Sequence, residues 1–207
     1  MAEAMLPPVL QRIKSLGMEV FTNGDWNLNF FGIRSPDQVS GVYDDLMGCA
    51  YKVKGQWHVR YWAATSDPGV YYRENPITVR GTGILIPGQY KGAYSIGKHR
   101  GYEALVQTGP VRLWRDSNKD EILDYSGEDV DEAEGYFGIN LHASSSHPYD
   151  ETRDRDPETS QVGKWSAGCQ VHATTTGFLE MMDLAKRQIK EHPTWSPKFT
   201  YTLLESW

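Results

Sequence analysis

Cysteine is scarce, with only Cys49 and Cys169 in 207 residues. That excludes a disulfide framework and a four-thiolate zinc site, and leaves one Cys49 to Cys169 disulfide as the covalent alternative to two free thiols. Long apolar runs are missing too. No stretch approaches the roughly 20 apolar residues of a membrane-spanning helix, and residues 1–10 lack a basic segment followed by an apolar one. The expectation is a chain synthesised soluble in the cytoplasm, with no visible signal peptide and no transmembrane segment. Positive charge is also in short supply, 21 Lys and Arg against 27 Asp and Glu. The deficit is local, because residues 116–134 hold nine acids and one base, Lys119, and the remainder is slightly positive. Without a basic stripe interleaved with aromatics, nucleic acid is not an expected partner, whereas the near-neutral remainder tolerates an anionic polymer.

What is present is enough for one sizeable core: 39% hydrophobic and 12% aromatic residues. Leu6, Val9, Leu10, Ile13 and Leu16 recur at helical spacing, with Pro7 and Pro8 in the first turn and Gly17 placed to end the helix. Residues 1–24 therefore read as a helical appendage and 25–207 as a single β-rich domain. Short aromatic and β-branched runs at 26–33, 50–53, 56–63, 69–72, 82–86 and 103–106, broken by Gly, Pro, Asn and Asp, predict mostly antiparallel strands. Further strands are expected at 111–114 and 122–125, either side of an acidic turn, and at 136–142. In the last, Phe137, Ile139 and Leu141 share one face and His142 falls on the other. Residues 144–161 have no periodicity and many charges, which predicts a long exposed loop. Phe178, Met182, Ala185 and Ile189 then form one stripe of a helix capped at 174–176, and Phe199, Tyr201 and Leu203 alternate in a final strand. The fold class is mainly β and sandwich-like, with an N-terminal helix and one C-terminal helix.

A lone cysteine usually behaves as a small buried hydrophobe, and Cys49, amid Leu46, Met47 and Ala50, fits that description. Cys169 does not. It lies in Gly163-Lys164-Trp165-Ser166-Ala167-Gly168-Cys169-Gln170-Val171-His172, after a polar loop, with small residues that leave room for a carbonyl to approach. Upstream, Gly138-Ile139-Asn140-Leu141-His142 supplies an imidazole at a strand end. A strand ending in His142, the pair Ala143-Ser144, a loop, and then Ser166-x-Gly168-Cys169 resembles the L,D-transpeptidase (YkuD) catalytic domain.

That resemblance implies a β-rich domain acting on peptidoglycan stem peptides, whose cysteine attacks the carbonyl of the third residue and expels the terminal D-alanine. It implies Cys169 as nucleophile, His142 as base and the backbone around Gly168 and Cys169 as oxyanion donor, with Ser166 and Ser144 on the substrate side and no cofactor. The chain departs from the pattern in two places. Gln170, Val171 and His172 stand where the family usually has an apolar residue and then Arg, which leaves His172 or Lys164 to meet the substrate carboxylate. His142 and Cys169 are also 27 positions apart, longer than usual. Both departures favour hydrolysis, as an L,D-carboxypeptidase or endopeptidase, over cross-linking. Since the wall lies outside the inner membrane, a phage-type lysis enzyme acting at the cell wall or periplasm reconciles that substrate with a leaderless chain. The alternative is a catalytically silent β module that binds cell wall or calcium.

Other patterns carry less. His142, His147, His172 and Cys169 match no compact zinc-ligand spacing, so no metal is assigned. Residues 116–124 place oxygens at the first, third, fifth and ninth positions of a calcium-type loop, without the glycine at its sixth, and read as a solvated hairpin turn. A papain-like peptidase needs a helix starting at the cysteine, which the polar run after Cys169 does not offer. The Pro and Gly turns at 65–69 and 86–92 are candidate walls for a substrate groove.

Overall fold

The structure, a computed structural model, describes residues 5–152 and 161–206. In chain order its elements are α1 (Pro8–Ser15), β1 (Asn29–Arg34), β2 (Asp45–Val53), β3 (Gln56–Thr65), α2 (Val70–Glu74), β4 (Thr82–Leu85), β5 (Gly88–His99), β6 (Tyr102–Gln107), β7 (Val111–Asp116), β8 (Val130–Gly135), β9 (Leu141–Ala143), β10 (Gln170–His172), α3 (Thr175–Glu191) and β11 (Lys198–Glu205). The protein is mainly β, but the sandwich-like expectation is corrected. Eight strands close a barrel in the order β1, β11, β5, β6, β9, β10, β3, β2, and β4, β7 and β8 form a separate three-stranded sheet.

Closure follows from how the would-be edges are used. A sandwich leaves strand edges unpaired, whereas here β11 docks parallel to β1 and β10 docks parallel to β9, so each edge finds a partner. A register shift between Phe199 and Tyr201, where β11 meets β5, supplies local bending. Both parallel pairs join segments distant in sequence, which alternation within one segment does not reveal. The run 69–72 is the short helix α2 instead of a strand, and 122–125 contributes only an isolated bridge between Ile122 and Val39. The region of Pro and Gly turns at 86–92 opens β5, a strand of 12 residues. Of the predicted loop, residues 153–160 lie outside the described residues.

The core runs through the barrel and under α3. Tyr94, Leu105, Leu141 and Tyr201 join Phe178, Met181, Met182 and Ala185 of α3 in one cluster of buried residues. Thr174 caps that helix, its side chain accepting from the Gly177 N–H at 3.1 Å. Val9, Leu10 and Ile13 of α1 pack against Phe31, Ala50 and Leu204. Each such side chain is worth at most about 1.5–3 kcal/mol of burial. Asp131, Glu132 and Glu134 sit on β8 at the edge of the small sheet, where charge discourages pairing with another chain. Among the described residues, no helix is long and apolar enough to cross a membrane.

Candidate active site

The β9–β10 pair positions both sequence-derived candidates. Gln170 registers with Leu141 and Val171 with His142. Continued back by one residue, this register sets Cys169 beside Asn140, and a side-chain period of two returns Asn140, His142 and Cys169 to a common face. Cys169 is half-buried, and both cysteines are free thiols, which removes the disulfide alternative. Its thiol donates to the Gly138 carbonyl at 3.4 Å and accepts from the Asn140 N–H at 3.5 Å.

Gln107 holds those two backbone groups in place. Its side-chain amide donates to the carbonyls of Gly109 and Gly135, each at 2.8 Å, and accepts from the N–H groups of Phe137 and Ile139, each at 3.0 Å. Its backbone N–H donates to the Asn140 side chain at 2.9 Å. These bonds occupy the Gly135 carbonyl and the N–H groups of Phe137 and Ile139 without a strand ladder, and the strand expected from residue 136 begins only at Leu141.

His142 is buried, at 2% exposure, and its Nδ1 lies 2.8 Å from the Ala143 carbonyl oxygen. A carbonyl only accepts, so Nδ1 carries the proton and Nε2 is the unprotonated nitrogen. The ring stacks on His99, centroids 4.2 Å apart, and His99 Nδ1 meets the Asn140 side-chain amide at 3.0 Å. His99 ends β5 just before the turn at Arg100 and Gly101, both with positive φ, and registers with Tyr102, whose hydroxyl reaches the Ala143 carbonyl at 3.5 Å. Cys169 and His142 are thus linked through Asn140 and His99, with no direct hydrogen bond between them.

The electrostatics keep both groups neutral. Burial pushes the Cys169 thiol up, against smaller downward pulls from the Asn140 N–H and the Arg100 charge. Burial first, then the His99 charge, push His142 down to about 3, with the Ala143 carbonyl opposing. Near pH 7 the resting pair is therefore a thiol and a neutral imidazole. A thiolate–imidazolium ion pair is not what this environment favours.

The remaining candidates fall into different places. Ser166 is fully buried, donates to the Cys169 carbonyl at 2.8 Å and accepts from the Gly168 N–H at 3.1 Å, so it closes the turn that presents the thiol. Gly168 has φ +109°, and a Cβ there would lie 2.4 Å from the Gly83 carbonyl oxygen. The Gly168 N–H is thus taken by the Ser166 hydroxyl. Ser144 bonds to the Ala173 carbonyl at 3.1 Å. Lys164 places its ammonium 3.9 Å from the centre of the Tyr71 ring. His172 points into the core, with Nε2 3.3 Å from the Met181 sulfur and Trp62 and Phe178 against its ring. None of these last three hydrogen-bonds the thiol or the His142 ring, although the charge of His142 is felt at His172. Among the described residues, no group of three His, Cys, Asp or Glu side chains is placed to hold a metal ion. In the 116–124 turn the Asn118 amide donates to Asp120 at 3.2 Å and to Asp124 at 2.7 Å.

Comparisons with protein-family models, with curated proteins and with solved structures gave no match. Three residues of the site, His99, Gln107 and Asn140, were not legible as such. His99, Gln107 and Asn140 carry no motif of their own. The one sequence signal was that polar Asn140 interrupts a run of strand-forming residues and Gln107 ends one.

Proposed function

We propose that the chain is a cysteine acyl-transfer enzyme acting on peptidoglycan stem peptides, with hydrolysis favoured over cross-linking. The observation that carries this reading is the Cys169 thiol, presented by the Ser166 to Cys169 turn beside the strand that holds a neutral, Nδ1-protonated His142. As the thiol leaves the Gly138 carbonyl, His142 Nε2 takes its proton and sulfur attacks the carbonyl carbon of the third stem residue. The Cys169 N–H faces the developing oxyanion. Collapse expels the terminal D-alanine, whose amine takes the proton back from Nε2–H, and leaves a thioester. Water then attacks, His142 again accepting a proton, and the tripeptide and free thiol are released. The vacant arginine position after Cys169 supports water as the acceptor.

The second reading, a silent wall-binding module, draws support from the upward-pushed thiol and the absence of a direct bond between Cys169 and His142. Incubation with tetrapeptide muropeptides, products resolved by mass, separates the two. Loss of D-alanine without dimers is expected. Dimers would turn the reading to transpeptidation, and unchanged substrate would favour the silent module.

A further inference from the structure

The position vacated by the family's arginine leaves a specific question, namely which cation, if any, meets the substrate carboxylate. His172 is in the core and Lys164 is engaged by Tyr71. Arg100 is the cation whose charge is felt at Cys169 and His142, but another, Arg115, lines a cleft that the nucleophile's own turn helps to wall. Arg115, on β7, is half-buried, and its guanidinium makes neither a hydrogen bond nor an ion pair among the described residues. Its guanidinium lies 4.9 Å from the centre of the Phe137 ring. Its cross-strand neighbours do not neutralise it. On β4 the register partner is Gly83, which has no side chain, and on β8 it is Asp131, whose carboxylate is taken by Arg80. Burial and the nearby charge of Arg80 both press against its positive charge, so an incoming anion relieves both.

The guanidinium lines a cleft of about 260 Å³ whose wall includes Ala167 and Ile139. Ala167 is two residues before the nucleophile, and Ile139 follows the carbonyl that the thiol bonds. The room is made partly by Gly83, where a Cβ would lie 3.1 Å from Arg115 Nη1 and 3.7 Å from the Ala167 carbonyl oxygen. Leu113 and Ile139 give the cleft an apolar side, and Thr78 and Thr82 add hydroxyls. A small apolar side chain and one carboxylate fit that lining.

We infer that this cleft is a carboxylate pocket, in which Arg115 pairs with the free terminal carboxylate of the residue that Cys169 expels. The inference rests on the proposed acyl-transfer reading and sharpens it, because such a pocket selects a chain end and makes the enzyme a carboxypeptidase in preference to an endopeptidase. A planar guanidinium held over an aromatic face offers the paired N–H donors that a carboxylate accepts.

The test uses the full chain carrying Cys169→Ala, which cannot turn over, and calorimetric titration with two ligands: a stem tetrapeptide ending in free D-alanine, and the same peptide as its C-terminal carboxamide. The acid should bind at least about 10-fold more tightly than the amide. Adding Arg115→Ala should bring the acid down to the affinity of the amide and leave the amide unchanged, and Arg115→Lys should restore part of the difference. Thermal melts of each variant show that the fold is retained. Equal affinities with Arg115 present, or a preference that survives Arg115→Ala, would overturn the pocket, as would failure of both peptides to bind. Turnover by the unmodified chain is scored separately. D-Alanine release with equal acid and amide affinities removes the pocket and keeps the acyl-transfer reading, whereas no release removes that reading.

Discussion

His142 and His172 lie on neighbouring strands, His172 in register with the residue after His142, and burial pushes both imidazoles down to about 3. Only their partners distinguish them. His142 spends Nδ1 on a backbone carbonyl, stacks on His99 and shares a face with Cys169. His172 faces Met181, Trp62 and Phe178, and its Nδ1 has no partner among the described residues. Depth of burial and a displaced pKa therefore do not separate the imidazole proposed as base from one buried in the core. Which nitrogen is fixed, and what the ring faces, does.

The same contrast holds for the two thiols, and it yields the largest expected effect. Cys49 is wholly buried in β2. Cys169→Ala should lower D-alanine release from a stem tetrapeptide by at least about 10³-fold. Cys49→Ala should leave the rate within about twofold and cost roughly 1–2 kcal/mol in urea unfolding. Comparable losses of activity in the two variants would erase the distinction.

Between the histidines, His142→Gln should reduce kcat by about 10²–10⁴-fold in steady-state assays. His172→Gln should leave kcat within a few fold and act on stability, which chemical denaturation reads. A His172 variant as inactive as the His142 variant would mean that the two faces of the strand pair are not functionally separate.

Support at a distance should cost less. Gln107→Leu removes the amide that fixes residues 135–140, and should lower kcat on the order of 10-fold, with about 1–3 kcal/mol lost from stability. His99→Phe preserves a ring against His142 while losing the bond to Asn140, and should change kcat by less than about fivefold.

The smallest effect is in the pH dependence of stability. For an imidazole at about 3 in the folded protein and about 6.5 when unfolded, acid loads protons onto the unfolded chain first. The contribution is fully present above pH 6.5 and is lost progressively as pH falls from there toward 3. Asp67, pushed up to about 7 by burial, works in the opposite sense. Single variants therefore isolate each group. His172→Gln should flatten the acid-side decline of the melting temperature relative to the unmodified chain, and an unchanged slope would show that His172 does not stay neutral in the folded state.

Much of the fold was legible because its signals were local. The spacing of Val9, Leu10 and Ile13, and the alternation of Phe199, Tyr201 and Leu203, each lie within one segment, and both segments fold accordingly. Barrel closure was not legible, since it depends on β1 meeting β11 and β9 meeting β10 across the chain. Three-residue β10 is also too short, and too polar at Gln170 and His172, to carry a strand pattern, although Gln170 accepts a hydrogen bond from Tyr201 across the barrel at 3.0 Å. At the site, Cys169 and His142 stood out through residue type and the small residues around them. Gln107 and Asn140 act through amide hydrogen bonds to backbone, which leave no periodic trace, and Arg115 becomes notable only once Asp131 is seen to be taken by Arg80.

The central claim is that Cys169 becomes acylated. Rapid acid quench of the protein during incubation with a stem tetrapeptide, followed by peptide mapping by mass spectrometry, tests it directly. The account predicts that the peptide carrying Cys169 gains the mass of the tripeptide acyl group as a thioester, while the peptide carrying Cys49 stays unmodified. D-Alanine release with no adduct on Cys169 under any quench time, or an adduct on Cys49 instead, would contradict it.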